Sequence, residues 1–238
     1  MNKTIVYSCI TGGYDKPEDT ILASKAIPEL GVSFVLFTDE VKEPETYNAG
    51  GTGIEWTKMP LSWGQEARDH GICIRRVARW HKVNSHVLFP DAHSTVWLDG
   101  SQRIKPIRIS TELVQPSLAS HDLATFKHPD RTCVYQELMA CKRWKKDNKV
   151  LMHNQIAKYR ADNYPPFNGL VETACVVRRN CPAISEFNKL WWREIAENSY
   201  RDQLSFNYIA WKSNLAYAHI PGSRNTSPFF DFTMHGKR

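Results

Sequence analysis

An apolar run ends in an acidic turn at Val96-Trp97-Leu98-Asp99-Gly100-Ser101. Residues 94–98 predict a β-strand, because β-branched and aromatic side chains favour strands. Asp99-Gly100 is typical of the tight turn that would end it. The carboxylate would then stand at the carboxyl edge of a sheet, where open α/β sheets bind their ligands. Taken alone, the stretch fits a turn residue and a ligand-binding residue equally well.

Strand-like and helix-like segments alternate on both sides of this run, and this alternation predicts an α/β fold. Further strands are expected at residues 4–10, 32–38, 54–58, 122–126 and 173–177. Helices are expected at residues 65–85, 134–146 and 149–160, from Pro182 onward, and at 201–212. Residues 43–53 and the tail from 221 to 238 show no periodicity and are expected to be irregular. One domain over residues 1–238 is the simplest organisation, with halves of about 1–101 and 102–238.

The overall composition is that of a protein with a hydrophobic core, since 42% of the 238 residues are hydrophobic. The net charge of +6 favours an anionic partner, although a merely basic surface is the plain alternative. No stretch approaches the ~20 apolar residues of a membrane helix, and the first residues do not resemble a signal peptide. The six cysteines show no C-x-x-C spacing. We therefore expect reduced thiols, no integral membrane segment and a cytoplasmic location.

Two strand ends in the first half carry candidate ligand-binding residues. The first is followed by Thr11-Gly12-Gly13-Tyr14-Asp15, in which the glycines allow close backbone approach and Tyr14 could stack on a base. This is not the G-x-G-x-x-G pattern of dinucleotide sites, and a plain tight turn is an equal alternative. The second ends at Asp39, which could accept hydrogen bonds from a ribose or cap a turn.

The helix predicted at 65–85 has a basic face, with cations spaced by 7, 4 and 3 residues. Its members are Arg68, Arg75, Arg79 and Lys82, with Arg76 beside them. A guanidinium binds two phosphate oxygens at once, so this face could hold a phosphate. A solvated helix face is the common alternative.

Three further candidates lie in the second half. Glu172 precedes a predicted strand and could contact acceptor hydroxyls or lie in an exposed loop. Asp202 and Gln203 stand at a predicted helix start, where an Asp also caps the helix. His235 is a single imidazole in the tail, where solvation is the usual state.

The order of these motifs along the chain is more specific than any one of them. The full set is Ser8-Cys9-Ile10-Thr11-Gly12-Gly13-Tyr14-Asp15, Phe37-Thr38-Asp39, Arg75-Arg76 with Trp80-His81, Trp97-Leu98-Asp99-Gly100-Ser101, Phe126-Lys127-His128-Pro129, Cys133-Val134-Tyr135-Gln136-Glu137 and Arg201-Asp202-Gln203-Leu204-Ser205-Phe206-Asn207. This set resembles the TOD1/MUCI70 glycosyltransferase-like family over residues 6–211, most of the chain.

The resemblance implies a GT-A-like fold: a Rossmann-like, mixed and mostly parallel sheet flanked by helices, with the donor at the strand ends. By that resemblance, residues Thr11 to Tyr14 and Asp39 would contact the nucleotide. The phosphates would face Arg75, Arg76 and Arg79. Asp202 and Gln203 would lie on the acceptor side.

The resemblance also implies a divalent metal, Mn²⁺ or Mg²⁺, with Asp99 at the first position of a D-x-D motif. A late histidine, His235 or His219, would complete its shell. The sequence departs from the motif at Ser101, which stands at the second acidic position. A hydroxyl is a weaker ligand than a carboxylate, and the basic helix face could partly replace the metal.

The expected function is therefore transfer of a sugar from a nucleotide diphosphate sugar, with uridine as the base by analogy, to an acceptor hydroxyl. Either Asp202 or Glu172 would position the acceptor. The acceptor is a glycan or a hydroxymethylated base in phage or viral DNA, which the basic charge also suits. The alternatives are a non-catalytic nucleic-acid-binding module and a structural member of the family.

Overall fold

The computed structural model describes residues 2–48, 52–64 and 71–233. Most of its strands form one large sheet through the middle of the molecule. The strands are β1 (Thr4–Ile10), β2 (Val32–Thr38), β3 (Glu45–Asn48), β4 (Glu55–Pro60), β5 (Ser94–Leu98), β6 (Gln102–Ile104), β7 (Leu123–Lys127), β8 (Val171–Arg179), β9 (Ala218–Ile220) and β10 (Phe230–Phe232).

In the described residues the large sheet has eight strands, in the order β3-β4-β2-β1-β5-β8-β7-β9. The pairs β4/β2, β2/β1, β1/β5 and β7/β9 are parallel, whereas β3/β4, β5/β8 and β8/β7 are antiparallel. This confirms the expected mixed, mostly parallel, Rossmann-like sheet. A separate antiparallel ribbon joins β6 to β10.

Helices cover the sheet on one face, and shorter turns cover the other. The helices are α1 (Ile74–Val83), α2 (Ser85–Leu88), α3 (Gln115–Ser117), α4 (Val134–Arg143), α5 (Lys149–Ala161), α6 (Pro182–Glu197) and α7 (Asp202–Lys212). Short 3₁₀ turns at Pro17–Asp19 and Ile21–Ala23 and a π-helical turn at Ile109–Val114 complete the set.

Two hydrophobic cores lie on opposite faces of the sheet because successive side chains of a strand point to opposite sides. Trp97 enters the core that packs against the long helices, and its neighbour Val96 enters the core under the short turns. Burying one large apolar side chain stabilises the fold by about 1.5–3 kcal/mol. The apolar run that precedes Asp99 is therefore held from both sides.

Three predicted strands, 4–10, 32–38 and 94–98, are confirmed at their predicted bounds. The predicted loop at 43–53 was wrong in part, because β3 pairs with the sheet edge there. Its residues are mostly exposed, so no apolar periodicity marks the strand. The irregular tail was likewise wrong at β10.

The helix predicted at 65–85 begins later than expected. α1 starts at Ile74, because Gly71 has a φ of +69° and Cys73 is extended. Residues 65–70 of the predicted helix, including Arg68, lie outside the described residues. All six cysteines are described, and none is in a disulfide bond. No helix in the described part of the chain is long and apolar enough to cross a membrane.

A candidate active site at the carboxyl edge of the sheet

Three neighbouring parallel strands end at the same edge of the sheet. β1, β2 and β5 end at Ile10, Thr38 and Leu98, and polar residues follow each of them. β8 runs antiparallel to β5, so its first residues lie at this edge too. Open α/β sheets bind ligands at this edge.

The loops after β1 and β2 are joined through Asp39. The backbone N–H of Gly12 donates to both carboxylate oxygens of Asp39, at 3.2 Å to Oδ1 and 3.0 Å to Oδ2. Gly12 and Gly13 have φ values of +68° and +60°, which suit glycine and strain other residues. Tyr14 follows Gly13 in this loop and is 52% exposed. The predicted nucleotide contacts Thr11 to Tyr14 and Asp39 are thus brought together.

The turn after β5 packs tightly against the same loop. A Cβ atom at Gly100 would lie 2.7 Å from the Cγ1 atom of Ile10 and 3.4 Å from a carboxylate oxygen of Asp15. Glycine is therefore needed for β5 to end this close to β1. Asp15, which the sequence placed only in the turn, consequently lies beside Gly100, the residue that follows Asp99.

At the centre of the site a buried ammonium group bridges two carboxylates. The Nζ atom of Lys82 lies 3.2 Å from Oδ1 of Asp99 and 2.6 Å from Oδ2 of Asp202. It also donates to the hydroxyl of Thr173 at 3.0 Å. The indole N–H of Trp97 donates to the same Asp99 oxygen at 2.8 Å. The side chain of Asp99 is 34% exposed and so connects this cluster to solvent.

Lys82 reaches the site because of helix geometry. Side chains on a helix tilt toward its N-terminus, so a lysine in the last turn of α1 extends back toward the carboxyl edge of the sheet. The side chain of Lys82 is only 1% exposed. The solvated-face alternative for this residue was therefore wrong.

The carboxylate of Asp202 is fully engaged in ion pairs and hydrogen bonds with neighbouring side chains. It accepts from Thr173 at 2.9 Å, pairs with Lys82, and lies 3.4 Å from Nε of Arg79. Burial alone would raise the pKa of Asp202, but Arg79 and Lys82 outweigh it and hold that pKa far below its usual range. At 2% exposure it has no open face for an acceptor. Its predicted contact with the acceptor gains no support. Asp202 instead stabilises the buried charges of Lys82 and Arg79.

The remaining basic residues of α1 divide into two groups. Arg75 is exposed beside the glycine loop and donates to the hydroxyl of Tyr200 at 2.6 Å. Arg79 lies deeper, next to Asp202. Arg76 instead donates to carbonyls at the end of α6, those of Ile195, of Ala196 at 3.2 Å and of Asn198 at 2.5 Å. Its predicted phosphate contact gains no support, because a guanidinium at these carbonyls stabilises the helix end.

Glu172 lies inside β8 as its second residue, not before the strand as predicted, and the alternative of an exposed loop was wrong. Its Oε2 atom accepts the backbone N–H of Arg224 at 3.0 Å, and its Oε1 atom lies 3.2 Å from Nε of the same arginine. Burial, followed by the nearby carboxylates of Asp99 and Asp130, raises its pKa despite Arg224. Its side chain is 11% exposed. Glu172 is thus a carboxylate beside Asp99 with an increased proton affinity.

Gln203 fixes the start of α7 to the start of β8. Its side-chain N–H donates to the carbonyl of Val171 at 3.1 Å, and its Oε1 atom accepts from Arg201 at 3.1 Å. Both ends of the amide are therefore occupied by the protein. We assign Gln203 to the support of the site, although the sequence placed it among the catalytic candidates.

A second buried charge pair braces the loop between β7 and α4. Nε of Arg131 lies 2.7 Å from Oε2 of Glu137, whose side chain is 4% exposed. The same guanidinium lies 5.7 Å from the ring centre of Trp144, and that ring is 56% exposed. Trp144 is thus a largely exposed ring in contact with the guanidinium that pairs with Glu137. No sequence signal distinguished Trp144 from the other tryptophans.

The predicted metal ligands are not gathered around Asp99 in the described residues. Within residues 2–48, 52–64 and 71–233, no three His, Cys, Asp or Glu side chains are grouped to hold a metal ion. Ser101 is buried beside Thr233, which donates its N–H to the carbonyl of Ser101 at 2.9 Å. His235 lies outside the described residues. The residues present thus fit the expected metal poorly.

His219 lies in β9, three strand intervals from β5, the strand that Asp99 follows. Strand pairing places Trp97 level with Val176, Val176 with Thr125, and Thr125 with His219. Three intervals of about 4.8 Å between neighbouring strands place Trp97 and His219 about 14 Å apart. The suggestion that His219 completes a metal shell with Asp99 therefore gains no support.

The buried imidazole of His81 is expected to make the protein less stable at acidic pH. Its Nε2 atom accepts the N–H of Ser62 at 3.0 Å, and its Nδ1–H donates to the carbonyl of Val77 at 2.9 Å, so the ring is neutral. Burial lowers its pKa to about 4. The unfolded chain therefore takes up a proton first as the pH falls below about 6.5. We expect the free energy of unfolding to fall by about 3 kcal/mol between pH 6.5 and 4 through this group.

Urea denaturation at pH 7.5, 6.0 and 5.0 measures this effect. The His81→Gln variant should lose part of the pH dependence, while His153→Gln, at an exposed position, should keep it. If the free energy of unfolding changed equally with pH in the wild-type protein and in His81→Gln, the buried neutral state of His81 would be contradicted.

These features define a class of protein: a Rossmann-like α/β domain with a glycine loop, acidic strand ends and a basic helix at one ligand-binding edge. More specifically, the chain belongs to the TOD1/MUCI70 glycosyltransferase-like domain family, whose model matches residues 1–221.

Two curated relatives come from Arabidopsis thaliana. The chain is 24% identical over 218 residues to "Probable hexosyltransferase MUCI70", covering 86% of this chain and 36% of the relative. It is 29% identical over 136 residues to "Alkaline ceramidase TOD1", covering 52% of this chain and 29% of the relative. The chain spans about a third of the length of these relatives, and their names denote two different reactions.

Proposed function

We propose that this protein is a glycosyltransferase that moves a sugar from a UDP-sugar to a hydroxyl of a glycan. The observation that supports this most strongly is the convergence of the glycine loop, Asp39, Arg75 and Asp99 at one sheet edge in a chain of this family. A nucleotide needs an aromatic or polar base pocket, a ribose acceptor and cations for its phosphates, and Tyr14, Asp39 and Arg75 are the candidates for these three roles at this edge.

The donor would lie across the ends of β1, β2 and β5. Tyr14 is exposed and offers a ring for stacking on the base. The carboxylate of Asp39, already anchored by Gly12, would accept ribose hydroxyls. The guanidinium of Arg75 would pair with the diphosphate, because its planar fork matches phosphate oxygens.

The acceptor would enter from the side of Glu172. In the proposed reaction, the acceptor oxygen forms a bond to the anomeric carbon while the bond from that carbon to the diphosphate oxygen breaks. Glu172 takes the acceptor proton, for which its raised pKa suits it. The diphosphate leaves with the bonding electrons, and Arg75 and Arg79 stabilise its charge.

Trp144 favours a glycan as the acceptor, because it combines a largely exposed ring with the neighbouring guanidinium of Arg131. Asp130 lies near Glu172 and adds a carboxylate for sugar hydroxyls. A DNA acceptor stays a prediction from the basic charge. Duplex DNA would require extrusion of the target base, usually with wedging side chains, and such binding would weaken steeply with salt.

A thermal-shift panel of UDP, ADP, GDP and CDP tests nucleotide binding. UDP at about 100 times its Kd should add about 2.7 kcal/mol to the free energy of unfolding, which raises Tm by roughly 5–10 °C for a chain of this size. Asp39→Ala should weaken UDP binding about tenfold or more, a change of about 1.4 kcal/mol. The control Asp91→Ala, at an exposed position, should bind as the wild type does.

The alternatives make different predictions in the same experiment. A structural member of the family predicts no shift with any nucleotide. A nucleic-acid-binding module predicts a shift with oligonucleotides alone. A shift with UDP that Asp39→Ala leaves unchanged would show that the nucleotide binds elsewhere.

A further inference from the structure

We propose that Lys82 is the resident cation of this site, filling the space between Asp99 and Asp202 and holding Asp99 toward the donor, so that donor binding needs no divalent metal ion. This inference rests on the proposed nucleotide-sugar function. It concerns a residue that the sequence placed only on a basic helix face.

The hydrogen bonds of Lys82 are complete within the site. An ammonium group has three N–H donors, and three acceptors surround Nζ: Asp202 at 2.6 Å, Thr173 at 3.0 Å and Asp99 at 3.2 Å. With 1% of its side chain exposed, Lys82 has no donor left for a ligand. It therefore acts through Asp99 and is a positioning residue.

The space between the two carboxylates is closed to a second cation. A divalent ion there would have to expel a buried ammonium that is already paired on both sides. Mg²⁺ requires oxygen ligands at about 2.0–2.1 Å in near-octahedral geometry, whereas this arrangement places one lysine nitrogen among three oxygens at hydrogen-bonding distances. The donor set is that of an ammonium site.

The orientation of Asp99 follows from the same contacts. Its Oδ1 atom accepts from both Lys82 and the indole of Trp97. Lys82 also lies 5.6 Å from the ring centre of Trp97, which fixes the two donors relative to each other. The second oxygen, Oδ2, remains for the solvent side, where it can accept a hydrogen bond from a donor hydroxyl.

Calorimetric titration of the wild-type protein with UDP, in EDTA and in Mn²⁺, tests the inference directly. We expect the two Kd values to agree within about threefold, less than 1 kcal/mol. Binding that is tenfold or more tighter in Mn²⁺, about 1.4 kcal/mol, would overturn it while leaving the proposed function standing. Absence of UDP binding in both buffers would overturn the proposed function, and the inference with it.

The Lys82→Met variant adds a readout that a merely structural role would not change. Removal of the ammonium leaves the two carboxylates without their shared cation, so this variant should bind Mn²⁺ alone at least about tenfold more tightly than the wild type. The matched control Lys212→Met, at a 53% exposed ion pair, should show no gain. A folded Lys82→Met that gains no Mn²⁺ affinity would contradict the inference. If the variant does not fold, the wild-type titration decides alone.

Discussion

Replacing Glu172 with glutamine is expected to lower kcat by about 10²–10⁴-fold, the usual contribution of a positioned general base. Glutamine keeps the size of the side chain and can still accept from Arg224, but it cannot take a proton. The donor site does not include Glu172, so the Kd for UDP should stay close to the wild-type value. Release of UDP from a UDP-sugar, followed over time, measures the loss.

The pH dependence of kcat tests whether Glu172 acts as the base. A general base works in its ionised form, so wild-type kcat should rise with pH through the pKa of Glu172, which burial raises above its ordinary value. Glu172→Gln should lose this rise. The control Glu186→Gln, whose side chain is 63% exposed, should keep both the rate and the profile. A Glu172→Gln enzyme with a wild-type rate would remove Glu172 from the reaction.

Replacing Asp202 with asparagine is expected to destabilise the fold by about 3–5 kcal/mol, the usual cost of removing one partner of a buried ion pair. Lys82 would stay buried with one of its two carboxylates gone, and Arg79 would lose its partner. For a chain of this size, Tm should fall by roughly 10 °C. Urea denaturation and thermal melting both measure this change.

The free energy of unfolding at low pH distinguishes loss of the ion pair from a loss of packing. Because the folded pKa of Asp202 lies below its unfolded value, the stability it contributes is complete above about pH 4 and is lost as the pH falls further. The wild type and Asp202→Asn should therefore converge in stability at low pH. Glu186→Gln, at a surface ion pair, should change stability by less than about 0.5 kcal/mol. Equal stability of Asp202→Asn and wild type at pH 7 would contradict the buried network.

The sheet was predictable from the sequence where burial dominates. β1, β2 and β5 lie in the centre of the sheet, so their side chains are apolar and their ends are marked by polar turn residues. β3 was missed because most side chains of this edge strand are exposed, which removes the apolar pattern. β10 was missed because its three residues are too few to show a periodicity.

The donor side of the site was predictable for a related reason. Parallel neighbours must end at the same edge, so polar residues after β1, β2 and β5 were bound to meet. The buried part of the site was not predictable. The spacing of the basic residues along α1 does not show that Lys82 is buried or that Arg76 contacts the end of α6. The partnership of Glu172 with Arg224 depends on a contact across 52 residues, which no local pattern encodes.

The most direct measurement of the proposed function is the release of nucleoside diphosphate from a panel of nucleotide sugars, with a glycan mixture present and ceramide in a parallel reaction. We expect release of UDP from a UDP-sugar by the wild-type protein, and loss of that release in Asp99→Ala but not in Asp91→Ala. Free fatty acid from ceramide, with no diphosphate released from any nucleotide sugar, would contradict the assignment as a glycosyltransferase.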